Sequence, residues 1–278
     1  MRYFSFIRKN AVFFYFSLVF IISWGLIIIL AGPENIPIHP EKSKALLPLL
    51  YTMMLLGPGI AGILLTGIVN GKEGYRNLRF CLFKWKVGFR WYLVALLTAP
   101  VLAIIILFIL SRFSSDYTMH FFCSHNKTSI LLSGLMVGLM VGIFEELGWS
   151  GFVVPRLRKC YTIFSTGLIT GLIWGAWHFI LFWESDTFNG MLPLIILIGR
   201  LFTWLPPFRI FMVWILDRTD SMLIVILTHA SLVFTTTVLV PMSLKGNSLL
   251  TWLIIWSTAL WVVVLAITVF SRKQKEFK

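Results

Sequence analysis

Runs of eighteen or more apolar residues recur along the whole chain and constrain its fold more than any other feature. A helix of that length matches the thickness of the hydrocarbon layer of a bilayer. Backbone polar groups in lipid must be satisfied within each span, and the sequence lacks the alternating pattern of a membrane barrel. The sequence therefore predicts an all-α, polytopic membrane helical bundle that forms a single transmembrane domain over residues 1–278.

The apolar runs predict about eight transmembrane helices. Hydrophobic residues make up 58% of the chain and charged residues only 13%, which is typical of a protein that has a bilayer as its solvent. Short segments rich in polar and basic residues separate the runs. The predicted spans are 10–31, 45–70, 91–111, 129–153, 163–183, 192–216, 221–240 and 249–270.

Lysine and arginine are distributed unevenly between the two sets of predicted loops. If both termini are cytoplasmic, most of the 24 basic residues fall on the cytoplasmic side, as the positive-inside rule requires. The outer segments then carry only Lys42, Lys44, Arg112, Lys127 and Lys245. We therefore expect two cytoplasmic termini. The sequence shows no organelle-targeting segment, so we expect a multi-pass protein of a prokaryotic cytoplasmic membrane.

The net charge of +13 is explained by the lipid bilayer as a partner and needs no nucleic acid. Basic residues at the cytoplasmic face complement anionic headgroups. Segment 72–90 combines such residues with aromatic ones, among them Phe83, Trp85 and Phe89. This composition predicts an interfacial basic segment next to the membrane.

Two adjacent acidic residues, Glu145 and Glu146, lie deep in the fourth predicted span and are the only acidic residues in any span. A carboxylate at membrane depth costs at least a few kcal/mol, so it persists mainly where it faces a polar cavity and has a function. Among the histidines, only His178 and His229 fall within spans. These four residues predict one shared polar site.

The depths of these residues agree with a shared site. At 1.5 Å per helical residue, Glu145 lies roughly 16 Å from the expected cytoplasmic face, His178 roughly 18 Å and His229 roughly 12 Å. The three side chains can therefore converge on one cavity that opens toward the cytoplasm.

Glycine ladders predict which helices pack closely. Gly134, Gly138 and Gly142 repeat at i+4 in the fourth span, and another ladder in the fifth span leads to His178. Small residues at this spacing let membrane helices approach each other. We expect the fourth span to pack against the fifth and bring the carboxylates beside the imidazole.

Three motifs in this order resemble a known family. Residues 144–152, Phe-Glu-Glu-Leu-Gly-Trp-Ser-Gly-Phe, followed by Pro155-Arg156-Leu157, are similar to the E-E-x-x-x-R motif of the CAAX protease and bacteriocin-processing (CPBP, or Abi) intramembrane proteases. Trp174 and His178 resemble the second motif, an aromatic residue four positions before a histidine. His229 resembles the start of the third, H-x-x-x-N or H-x-x-x-D. The likeness covers a core of about 75–240.

Two positions depart from the family pattern. Ser150 replaces the arginine that ends the first motif, and Val233 replaces the Asn or Asp of the third. The usual arginine would lie one turn from Glu146, where it could pair with that carboxylate. Arg209, about 10 Å into the sixth span from the same side, is a candidate substitute partner for Glu146.

The resemblance implies an intramembrane endopeptidase that acts on a prenylated C-terminus or on a leader or bacteriocin-like peptide. Glu145 is then the candidate base that activates a water molecule, and Glu146 belongs to the same catalytic group. His178 shares the water, and His229 donates to the oxyanion, directly or through a metal. Ser150, Arg209 and Trp174 have supporting positions.

A metal requirement and two other functions stay open at this point. The family carries a metalloprotease label, and Glu145, His178 and His229 are candidate ligands for zinc, although a glutamate-activated water needs no ion. The departures at Ser150 and Val233 would also suit a catalytically inactive family member that acts as a membrane scaffold or binding protein. Intramembrane glutamate and histidine residues also form proton relays in transporters, although the broken-helix repeats of many transporters are lacking.

Overall fold

A computed structural model describes residues 2–37 and 45–276. Within these ranges the chain is helical and contains no β-strand, so the predicted all-α membrane bundle is confirmed. Seven helices or helix runs of the described residues are long and apolar enough to cross a bilayer, and a shorter apolar helix makes the eighth. The helices are α1 Arg2–Lys9, α2 Ala11–Ala31, α3 Leu47–Leu82, α4 Phe89–Leu110, α5 His120–Cys123, α6 Lys127–Gly148, α7 Val154–Leu157, α8 Ile163–Phe182, α9 Met191–Ile198, α10 Leu205–Thr219, α11 Met222–Val238 and α12 Gly246–Glu276.

Each predicted span corresponds to one helix or one interrupted helix. Two spans contain a π-helical turn, Trp149–Val153 between α6 and α7 and Gly199–Thr203 between α9 and α10. Three of the lysines that the orientation argument used, Lys42, Lys44 and Lys278, lie outside the described residues. The cytoplasmic position of the termini stays a prediction.

Three helices that carry site residues, α6, α8 and α11, begin at polar capping residues. Asn126 accepts a hydrogen bond from the Ser129 amide at the start of α6, Thr162 caps α8 in the same way, and Ser221 caps α11. Such side chains satisfy amide groups that have no partner within the helix. The caps therefore help to fix where these three helices start.

Helix α3 bends sharply at Gly71, beyond the predicted end of its span. Gly71 has φ 60° and ψ −147°, a conformation that glycine adopts readily because it has no Cβ. The residues after the bend, 72–82, form what we call the distal arm of α3. Tyr75 in this arm donates a hydrogen bond to the Ile63 carbonyl at 3.1 Å, so the arm folds back along the helix. Much of the segment predicted to be interfacial is thus a helix.

The expected packing of the fourth span against the fifth through their glycine ladders is wrong. The ladder of α6 faces α11, where a Cβ on Gly138 would come within 2.6 Å of the Ala230 carbonyl oxygen. The ladder of α8 faces α10, with Gly171 against Pro206. Small residues allowed the close approaches, as expected, but spacing alone does not identify the helix on the other side.

The bundle therefore contains two tightly packed helix pairs, α6 with α11 and α8 with α10. The first pair carries Glu145, Glu146 and His229. The second carries Trp174, His178 and Arg209. The candidate site lies where side chains of the two pairs meet.

Candidate active site

Glu146 is the center of a buried polar network that joins three helices. Arg209 Nη1 from α10 donates to both of its carboxylate oxygens, at 3.0 and 2.9 Å. His229 Nδ1 from α11 lies 2.8 Å from Oε1, and the Ser150 hydroxyl donates to Oε2. Glu146 and Arg209 are both fully buried. This carboxylate is held in one position by charge-assisted hydrogen bonds.

Glu145 lies beside this network but has fewer partners. Its Oε2 accepts a hydrogen bond from Trp174 Nε1 of α8 at 2.6 Å, which is its only hydrogen-bond donor among the residues that the structure describes. Its side chain is almost fully buried. The two adjacent glutamates thus differ, since Glu146 is anchored on both oxygens whereas Glu145 keeps acceptor capacity for another group.

Trp174 lies against both histidines of the predicted site. The centroid of its ring system is 5.3 Å from that of His178 and 5.3 Å from that of His229, with edge-to-face geometry in both cases. His178 Nδ1 is 2.8 Å from the Trp174 carbonyl oxygen. Because a carbonyl only accepts, this nitrogen carries the proton and Nε2 is left as an acceptor. All four predicted ionisable residues are therefore in one region, with Trp174 between the imidazoles.

The π-helical turn Trp149–Val153 positions Ser150 directly after the glutamates. Such turns are rare and occur frequently at functional sites. Ser150 is the position at which the family has arginine, and here its hydroxyl reaches Glu146. Val233, the other departure, is half-buried on α11 and offers no polar group.

Arg209 pairs with Glu146, as expected of the residue that replaces the missing arginine of the motif. Its guanidinium also lies over the Trp174 ring at 4.3 Å. Its Nε and Nη2 groups have no hydrogen-bond partner within the described part of the chain. The guanidinium of Arg209 is thus held beside the carboxylates, and its Nε and Nη2 groups remain available to donate to another group.

Sequence reasoning missed three other polar side chains around the site. The Tyr15 hydroxyl and the indole N–H groups of Trp149 and Trp177 are buried and have no partner among the described residues. The rings form a connected cluster, with Tyr15 5.5 Å from Trp149 and Trp149 6.1 Å from Trp177. Trp149 and Trp177 are part of the recognised motifs, but nothing in the sequence of the first span singles out Tyr15.

The donor set does not fit zinc bound by the candidate ligands Glu145, His178 and His229. The described residues bring together the ligand atoms of Glu145, Glu146 and His229 within 4.8 Å of one another, and His178 is not in that group. Both oxygens of Glu146 are already occupied by hydrogen-bond donors. Arg209 also places a positive charge there, which opposes the binding of a second cation.

A cavity of about 920 Å³ lies at the basic end of the bundle. It differs from the expected cavity, because Glu145, His178 and His229 are not among its lining residues. Its walls come from the end of α1, the distal arm of α3, the turn after α6 with α7, and the end of α10. Ser150 belongs both to the cavity wall and to the Glu146 network. Ser150 therefore connects the polar network to a space large enough for a short peptide.

The fold and the site together define a class, a polytopic helical membrane protein with a buried glutamate and histidine center. The family model described as "Type II CAAX prenyl endopeptidase Rce1-like" matches residues 127–235. The chain is also 33% identical to CAAX prenyl protease 2 of Methanococcus maripaludis over 55 residues, which are 20% of each protein. These matches agree with the resemblance that the motifs indicated. The aligned part spans about a fifth of that curated relative.

Proposed function

We propose that this protein is an intramembrane endopeptidase that hydrolyses a peptide bond near the prenylated C-terminus of a protein substrate. The observation that carries the proposal is the unequal environment of the two glutamates. Glu146 is held by Arg209, His229 and Ser150, while Glu145 accepts from Trp174 and retains an oxygen for water. A fixed carboxylate beside one that retains a free acceptor oxygen is suited to general-base hydrolysis.

In this mechanism Glu145 accepts a proton from water as the oxygen attacks the scissile carbonyl. The C–N bond then breaks, and Glu145 returns the proton to the leaving amine. His178, whose Nε2 is an acceptor, helps to hold that water. His229 contacts Glu146 through Nδ1 and presents Nε2 toward the substrate oxygen. Arg209 adds a fixed positive charge next to the developing oxyanion, and fixed charges in a site without bulk water stabilise such transition states strongly.

The membrane position of the site supports a substrate that is itself lipid-bound. The site is buried within a bundle whose outer surface is apolar, and a prenyl group in the bilayer would bring the peptide to it. We also propose that the basic end faces the cytoplasm of a prokaryotic cell, as the charge distribution supports. A leader or bacteriocin-like peptide is the other substrate class of the family.

The test is cleavage of a prenylated CAAX peptide by purified protein and by the Glu145→Gln variant. The amide is nearly isosteric but cannot accept the proton, so turnover should fall by roughly 10²–10⁴-fold. Glu34→Gln, a change of the same kind at an exposed residue that does not line the cavity, should leave turnover intact. Full activity of Glu145→Gln would transfer the role to Glu146. A natural protein that cleaves no peptide of either class would favour the scaffold function.

A further inference from the structure

The cavity beside the site has more positive charge than its own acidic residues can neutralise. Three acidic residues line it, and each pairs with a basic residue: Glu73 with Arg76 at 2.8 Å, Asp217 with Arg158 at 2.6 Å and Asp220 with Lys84 at 3.7 Å. Four basic lining residues remain without a carboxylate partner in the described part of the chain, namely Arg8, Lys9, Arg156 and Lys159. This excess of positive charge favours the binding of an anion in the cavity.

Arg156 is the most firmly positioned of these four residues. Its Nη1 donates to the Phe152 carbonyl oxygen at 2.6 Å, and its Nη2 donates to the Asn70 side chain. The guanidinium lies 3.5 Å from the center of the Phe152 ring. These contacts hold the group half-buried at the level of Phe152 and leave further N–H groups for a ligand. Arginine in a fixed orientation is the preferred partner of a carboxylate.

The distance from Glu145 to this guanidinium matches a short peptide. Phe152 lies about 10 Å along the helix axis from Glu145 at 1.5 Å per residue. An endopeptidase that cuts within a C-terminal CAAX sequence leaves no more than about three residues before the terminal carboxylate. Three extended residues span about 10 Å. A substrate whose scissile bond is at Glu145 would thus place its carboxylate at Arg156.

We infer that this cavity binds the free α-carboxylate of the substrate, with Arg156 as the specificity-determining residue and Lys159, Arg8 and Lys9 as the surrounding positive field. This inference rests on the proposed function and adds to it a requirement for a chain end. The peptide backbone would pass Ser150, which lines the cavity and donates a hydrogen bond to Glu146. A substrate whose chain ends in an uncharged amide would lack this electrostatic attraction.

The experiment measures binding without catalysis, in full-length protein that carries Glu145→Gln. Two fluorescent prenylated CAAX peptides are compared that differ only in a terminal carboxylate or a terminal amide. We expect the carboxylate peptide to bind about tenfold more tightly, as one hydrogen bond to a charged group allows. Equal binding of the two peptides would overturn the inference.

Variants of the lining residues identify the group that reads the carboxylate. Arg156→Gln should weaken the carboxylate peptide about tenfold and leave the amide peptide unchanged, and Arg156→Lys should restore part of the preference. Lys159→Gln should reduce it without affecting folding, because Lys159 is exposed. Lys72→Gln, a neighbouring exposed lysine that does not line the cavity, is the matched control. Equal weakening of both peptides by Arg156→Gln would show a structural role and contradict the inference.

Anionic lipid is the other source of a negative group at this end of the protein. If phosphatidylglycerol displaces both peptides equally and the parent shows no preference for the carboxylate, the cavity is a headgroup site and the inference fails. Cleavage assays separate this inference from the proposed function. If the protein prefers the carboxylate peptide in binding but cleaves neither peptide, the carboxylate site is supported and the proposed protease function is contradicted.

Discussion

Arg209 on α10 donates to both carboxylate oxygens of Glu146 on α6, and neither side chain is exposed to solvent. The pair joins the two glycine-packed helix pairs of the bundle at the candidate site. It also supplies, from a different helix, the positive charge that the family motif would place at position 150. The positive partner of this carboxylate can therefore come from a different helix, as long as its side chain reaches the same carboxylate.

Removal of Arg209 should destabilise the protein strongly. Arg209→Met leaves Glu146 as a buried charge without its main partner, which typically costs about 3–5 kcal/mol. The matched control is Arg200→Met, since Arg200 pairs with Glu184 at a similar distance, 2.8 Å, but both side chains are partly exposed. Such a pair contributes about 0–1 kcal/mol. Denaturant unfolding in detergent measures both, and similar losses for the two variants would contradict the importance of this pair.

An arginine at position 150 should compensate for the loss of Arg209. The Ser150 side chain contacts Glu146 and borders the cavity, so the longer side chain has space and a partner. We expect Arg209→Ala to lose stability and activity, and Ser150→Arg with Arg209→Ala to regain a substantial part of both. The double-mutant cycle should give a coupling of about 0.5–3 kcal/mol. Additive effects would mean that the two positions do not serve the same carboxylate.

Trp174→Phe should reduce turnover without unfolding the protein. The change keeps the ring between the two histidines but removes the N–H that donates to Glu145. A hydrogen bond to a charged group contributes about 1.5–3 kcal/mol, so kcat should fall about 10- to 100-fold while the affinity for substrate changes little. Trp214→Phe removes an indole N–H that has no partner in the described residues and is the matched control. Unchanged kcat in Trp174→Phe would remove this indole from the mechanism.

Chelation of metal ions should leave cleavage unaffected. The hydrogen bonds to both oxygens of Glu146 and the positive charge of Arg209 make the described group of Glu145, Glu146 and His229 a poor ligand set for zinc, and Arg209 can itself stabilise the oxyanion. The measurement is the cleavage rate before and after treatment with a strong chelator, with metal content determined on the same sample. Loss of activity that added zinc restores would show that a metal participates.

The sequence predicts most of the fold because a bilayer limits the choices. Each long apolar run had to become a helix, and all eight did. The partners of those helices were harder to predict. The ladder with Gly138 and the ladder with Gly171 both showed that a close neighbour exists, yet each neighbour was a different helix from the one expected, because small residues specify closeness and not identity.

In the site, too, the sequence predicts which residues take part but not which contacts they make between helices. The motifs identify Glu145, Glu146, His178 and His229, and position along the span places them at similar depths. The contact between Trp174 and Glu145 and the cluster around Tyr15 depend on how helices are rotated about their axes. Rotation depends on packing across the whole bundle, so spacing within one helix does not determine it.

The two helix pairs give the site a mechanical consequence. Within each pair, α6 with α11 and α8 with α10, the backbones are too close to slide apart without losing their packing. Between the pairs, the hydrogen bonds of Glu146 with Arg209 and of Glu145 with Trp174 connect the two halves of the bundle through residues of the candidate site. Any change in the separation of the two pairs would therefore change the geometry of the site at the same time.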